Sequence, residues 1–159
     1  MTQFSEDYVK QFTSERGNDP ARSALVIIDM QNATGHPDGP LARKMKTEGN
    51  SVTEWRFERI ATHVIPNTQK LITAMRKAGG RVIYVTIGAA LPDCSDAPIH
   101  MRGFFQSLGN YEGQHAHQII DELAPEPGDP IVRKTSMGAF ASTGLDHLLR
   151  SLDLEHLFV

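Results

Sequence analysis

The sequence predicts an α/β fold, an open and mostly parallel sheet covered by helices on both faces. Four short apolar runs, at about 23–29, 81–87, 131–134 and 156–159, have the continuous hydrophobicity of strands buried on both sides. Segments of helical character separate them, so the order is β, α, β, α, β, α, β, and parallel pairing through crossovers follows. Two of the runs end abruptly on charges of opposite sign, Asp29 and Lys134. The carboxyl ends of parallel strands are where such sheets bind ligands.

Each element has its own signal. Residues 1–22 are polar, with a turn at Gly17-Asn18-Asp19-Pro20, and read as an N-terminal arm. The first strand spans about Ser23 to Asp29. The loop Gly35-His36-Pro37-Asp38-Gly39-Pro40 is too rich in Gly and Pro for regular structure. Leu41 to Arg56 has weak periodicity and reads as a lid or a frayed helix. Pro66 suits a first helical turn, Ile65, Leu71, Ile72 and Met75 recur at helical spacing, and Gly79-Gly80 forms the stop. The strand Arg81 to Ile87 completes a βαβ unit. Gly88 to Gly109 reads as loop, and Gln114 to Leu123 as a helix stopped by Pro125-Glu126-Pro127-Gly128. The strand Ile131 to Lys134 follows. Ser142 or Thr143 caps a helix to about Leu152, with Leu145, Leu148, Leu149 and Leu152 in one stripe.

Composition bounds the function. A chain of 159 residues with 40% hydrophobic and 22% charged residues suits one globular domain. A net charge of −3 with mixed signs leaves no footprint for nucleic acid. No apolar run approaches the roughly 20 residues that span a bilayer, so no membrane partner is expected. The N-terminus lacks a basic stretch followed by an apolar one, and a single cysteine excludes an internal disulfide. The expected location is cytoplasmic, and no cofactor is implied.

The chemistry centres on Asp29 and Lys134. A neighbouring ammonium keeps a carboxylate ionised and able to accept a proton, while the lysine stabilises developing charge. The alternative is an ordinary salt bridge at two strand ends, or two unrelated surface charges. Gln31 and Asn32, just after the strand, either bind substrate or cap the turn. Phe140 packs at a pocket mouth or in the core. His36 reaches substrate or is a turn residue.

The pattern Val26-Ile27-Ile28-Asp29-Met30-Gln31-Asn32 resembles the first strand of the isochorismatase-like cysteine hydrolases. The block Lys134-Thr135-Ser136-Met137-Gly138-Ala139-Phe140-Ala141-Ser142-Thr143-Gly144-Leu145 is similar to that family's lysine block, and Asp121 to Asp129 to its usual approach. The resemblance covers about residues 22–159. It implies a Rossmann-like three-layer α/β/α domain over 23–159 and an Asp–Lys–Cys triad, with Asp29 as base and Lys134 beside base and nucleophile. In the family, the nucleophile turn would begin almost immediately after Val159. Residues 1–159 alone are therefore expected to be inactive and, with an open apolar sheet edge, prone to aggregate.

The implied activity is hydrolysis of a small amide, carbamoyl or ureido compound. The alternatives are isochorismate (vinyl-ether) hydrolysis and an inactive family member acting as a binding module. Ser136 stands where the family often has Arg, which changes how an anionic substrate is held. Cys94 is rejected as nucleophile: it lies in a Pro/Asp loop, is expected to be partly exposed, and its flanking carboxylates disfavour the thiolate. No metal site is expected. The family's nicotinamidases carry an Asp-x-His motif after the second strand, and it is missing here. His115 and His117 are assigned to a solvated helix surface, where residues two apart diverge. The resemblance also implies a small-molecule substrate and homo-oligomerisation.

Overall fold

The structure, a computed structural model, describes residues 17–159. Most of the expected arm, residues 1–16, lies outside the described residues. Of the remainder, Asp19 accepts a hydrogen bond from the Ala21 N–H and caps a short 3-10 turn, Pro20–Arg22.

Four parallel strands form the sheet: β1 (Ser23–Ile28), β2 (Arg81–Ile87), β3 (Ile131–Lys134) and β4 (His156–Phe158), in the order β3-β2-β1-β4. The register decides what each face carries. Ile27, Tyr84 and Ile131 are partners, so Leu25, Ile27, Val82, Tyr84, Thr86 and Arg133 share one face. Val85 pairs with Val132 and Ile87 with Lys134, which puts Lys134 on the other face.

The helices are α1 (Pro40–Thr47), α2 (Glu54–Arg59), α3 (Ile65–Lys77), α4 (Ile99–Leu108), α5 (Ala139–Ser142) and α6 (Leu145–Ser151). Helix α3 buries Ile65 and Ile72 on the first face, in one cluster with Leu25, Ile27, Val82, Tyr84, Ile119, Ile120 and Leu123. Helix α6 covers the second face, where Leu145 and Leu149 meet Ala24 and Ile83. At about 25 cal/mol per Å² of apolar surface removed from water, these two clusters hold the layers together.

Four elements refine or differ from the expectation, each for a physical reason. Leu41 to Arg56 is mostly helical, because Pro40 occupies the first turn of α1 and supplies its fixed φ. A π-helical turn, Ile60–Val64, joins α2 to α3: Pro66 has no N–H for the carbonyl four residues back, and the chain widens to the Ile65 N–H bond with Ile60 O. Gly88–Gly109 is not all loop. Its second half is α4, ended by Gly109 at φ 62, and it buries Phe105 and Leu108.

The expected helix over 114–123 is instead two short 3-10 turns, His115–His117 and Asp121–Leu123. The backbone between them is committed elsewhere. Asn32 N–H bonds Gln118 O, Ala33 N–H bonds Ala116 O, and Ile120 N–H bonds Met30 O. Tertiary pairing with the segment after β1 took the groups a helix needs. Leu71, expected on the buried stripe, is 54% exposed, and Ile28 is also exposed. Among the described residues, no helix is long and apolar enough to cross a membrane.

Candidate active site

Strict alternation would put Asp29 on the face of Leu25 and Ile27, away from Lys134. It does not stay there. Asp29 has a left-handed backbone, φ 58, which ends β1 and redirects its side chain. Few residues other than Gly adopt this conformation, and Asp and Asn are among the most tolerant. Its N–H remains anchored to Val85 O at 2.8 Å.

The result is an ion pair across the strand ends: Lys134 Nζ lies 2.9 Å from Asp29 Oδ2. The lysine side chain is 3% exposed and the aspartate 34%. The other carboxylate oxygen, Oδ1, is buried and has no hydrogen-bond partner among the described residues. A buried, partnerless carboxylate oxygen is unusual, because desolvating it without a donor is unfavourable. Here it leaves one basic lone pair beside a fixed cation.

Behind Asp29 lies a buried polar cluster. Gln31 is fully buried; its Oε1 accepts from the Ile87 N–H at 2.8 Å, and its Nε2 donates to Ile87 O and His117 O. Asn110 and His117 complete the cluster. Thr86, Glu112, Gln114, His117, Gln118 and Arg133 line a cleft of about 450 Å³ on the face opposite Lys134. Burial pushes the His117 imidazole below the usual histidine range; the charge of Arg133 adds to this, and Glu112 opposes it.

An Isochorismatase domain matches residues 23–159, the stretch that contains both charged strand ends. The chain belongs to the isochorismatase family. Its fold is similar to that of solved members. A cysteine hydrolase from Pseudomonas syringae pv. phaseolicola 1448A is 26% identical with a TM-score of 0.67, over 91% of this chain and 63% of that one. An isochorismatase family protein from Desulfovibrio vulgaris subsp. vulgaris str. Hildenborough is 28% identical with a TM-score of 0.66, over 86% and 64%. An N-carbamoylsarcosine amidase from Thermoplasma acidophilum is 25% identical with a TM-score of 0.55, over 86% and 65%. The chain thus spans just under two thirds of the length of these isochorismatase-family structures.

The remaining candidates of this family member fall in different places. Gln31 gives its shortest hydrogen bonds to the backbone carbonyls of Ile87 and His117 and so ties segments together. Asn32 is buried, bonds His115 O at 3.1 Å, and borders a second polar cleft shared with His36, Arg43 and Asp121. Phe140, on α5, is 58% exposed and is not a core aromatic. His36 is a turn residue whose Nδ1 accepts from the Asp38 N–H.

Two expectations are corrected. Cys94 is fully buried, packed with Ile87, Ala89, Ala97 and Phe105, and not partly exposed. Burial raises its thiol pKa first, with Asp96 and Asp93 adding to the effect. His117 is buried and hydrogen-bonded, and not on a solvated helix, because the helix that would have exposed it does not form. Asn110 and Thr86 gave no sequence signal. Each is an ordinary polar residue beside a loop or strand end until the fold joins them. Among the described residues, no group of three or more His, Cys, Asp and Glu side chains is placed to hold a metal.

Proposed function

We propose that Asp29 and Lys134 activate a thiol for hydrolysis of a small amide, carbamoyl or ureido compound. The observation that carries this reading is the buried Oδ1 of Asp29, without a partner among the described residues, beside the Lys134 ammonium. Asp29 takes the proton of the attacking thiol, and the thiolate adds to the carbonyl carbon. The proton passes to the departing amine as the C–N bond breaks, leaving a thioester. Water then adds with Asp29 again as base, and the acid and the thiol are released. Lys134 pairs with the carboxylate when the site is empty and stabilises negative charge in the addition step.

Cys94 is not this thiol: it is sealed in an apolar cluster and its thiolate is disfavoured. The thiol we assign to this role is the family's nucleophilic cysteine. Likeness to an N-carbamoylsarcosine amidase supports an amide or carbamoyl substrate over a vinyl ether. Ammonia release from N-carbamoyl amino acids and simple amides by the polypeptide that carries this cysteine tests the assignment. Release abolished by both Asp29→Asn and Lys134→Met is expected. No turnover of any amide, with a substrate-sized ligand still bound, would overturn the reading in favour of a binding module. Turnover of isochorismate alone would move it to vinyl-ether hydrolysis.

A further inference from the structure

Asp29 and Lys134 follow β1 and end β3, which are not neighbours; β2 lies between them. Their contact therefore depends on what fixes the end of β2 to both. Three buried side chains meet there, and the shortest contacts assign their hydrogens. Gln31 Nε2 has four acceptors in reach and gives its two hydrogens to the nearest, His117 O at 2.7 Å and Ile87 O at 3.1 Å, over His117 Nδ1 at 3.3 Å and Asn110 Oδ1 at 3.4 Å. Asn110 Nδ2 donates to the same Ile87 O at 3.0 Å, filling its second lone pair. This orients Asn110 so that its Oδ1 accepts, and His117 Nδ1 stands 3.0 Å from it. Gln31 has no hydrogen left for that nitrogen, so Nδ1 carries the proton. His117 Nε2 is then the bare nitrogen, 3.5 Å from Thr86 Oγ1 at the floor of the cleft.

The next residue carries the effect to β3. Gly88 N–H bonds Lys134 O at 3.1 Å. Gly88 also lies so close to the cluster that an added Cβ would stand 2.5 Å from His117 Nδ1 and 2.7 Å from Asn110 O.

We propose that His117, acting through Asn110 and Gln31, is a positioning residue: it locks the end of β2 and thereby holds the Asp29 turn and the Lys134 strand end in contact. Its catalytic meaning rests on the reading of that pair as the activating one. The groups facing the imidazole are Thr86 from β2, Arg133 from β3, Asn110 and Glu112 from the segment after α4, and Gln31 from the turn after β1.

The test compares this chain with His117→Leu and His117→Asn, whose Nδ2 takes the place of the Nδ1 donor. In the unsubstituted protein, 15N shifts are expected to show His117 protonated on Nδ1 and bare on Nε2 at pH 7.5. Acylation of Lys134 and hydrogen exchange at Gly88 are then followed by mass spectrometry and NMR, with the β2 amides of Ile83 and Val85 as the global reference. Leu is expected to speed both about tenfold, the size set by one lost buried hydrogen bond, with the reference amides moving by no more than that factor, and Asn to stay within about twofold. An Nε2-protonated tautomer would overturn the proposal. So would a His117→Leu protein with unchanged Lys134 acylation, or an Asn variant as disturbed as the Leu one. If Leu prevents folding, the tautomer and the Asn variant decide. None of these readouts needs turnover, so a failed ammonia assay leaves the lock standing, and a failed lock leaves that assay unaffected.

Discussion

Removing Lys134 isolates the interaction on which the site depends. Lys134→Met keeps most of the side-chain volume and deletes the charge, and Oδ2 of Asp29 loses its partner while Oδ1 already lacks one among the described residues. At a charge separation near 4 Å and an effective dielectric of about 20, the gross attraction is about 4 kcal/mol. Desolvation of the lysine offsets part of it, and water reaching an aspartate that is 34% exposed screens more. A net coupling of about 2 kcal/mol remains, between the 3–5 of a fully buried pair broken on one side and the 0–1 of a surface pair. The assay is a double-mutant cycle in urea at pH 7 with Lys134→Met, Asp29→Asn and both. Asn is chosen because it tolerates the left-handed backbone at position 29. A coupling below about 0.5 kcal/mol would class the pair with exposed ion pairs and refute the argument from burial.

Three further outcomes follow from the same geometry. Gly88→Ala should destabilise the fold by about 1–3 kcal/mol, since its Cβ must displace backbone at Asn110 and the His117 ring; thermal unfolding measures it. His117 binds a proton less readily folded than unfolded, so the stability it contributes is present above its ordinary value of 6.5 and is lost progressively as pH falls from that value down through its lower folded one. Urea midpoints at pH 5 and 8 should diverge more for the unsubstituted protein than for His117→Asn, and an equal divergence would exclude His117 as the source. Cys94 should react with a thiol reagent at pH 8 roughly a hundredfold more slowly in the native protein than in urea, because both burial and thiol ionisation oppose reaction.

The fold was largely legible from local pattern. Continuous apolar runs specified the four strands, and Ile65, Ile72 and Met75 followed by Gly79 specified α3. Elements failed where local signals were weak and tertiary pairing decided. Residues 114–123 have the composition of a helix, yet their backbone groups bond the segment after Asp29. Residues 99–108 carry apolar side chains at helical spacing, but the Pro92 and Pro98 punctuation masked them. Of the site, both charges were readable, because a strand that ends on a carboxylate and another that ends on an ammonium are local facts.

What the sequence determined by itself is the order of elements and the identity of Asp29 and Lys134 as the charged strand ends. Only the tertiary structure decided that they touch. Alternation alone would have put them on opposite faces, and the left-handed turn at Asp29 reverses that. The tertiary structure also decided that Gln31, Asn110 and His117, spread along the chain, form one cluster behind the pair. Strand patterns are set by neighbours two residues apart, whereas a buried hydrogen-bond network is set by which loops meet at the sheet's carboxyl edge. No spacing in a single sequence encodes that meeting.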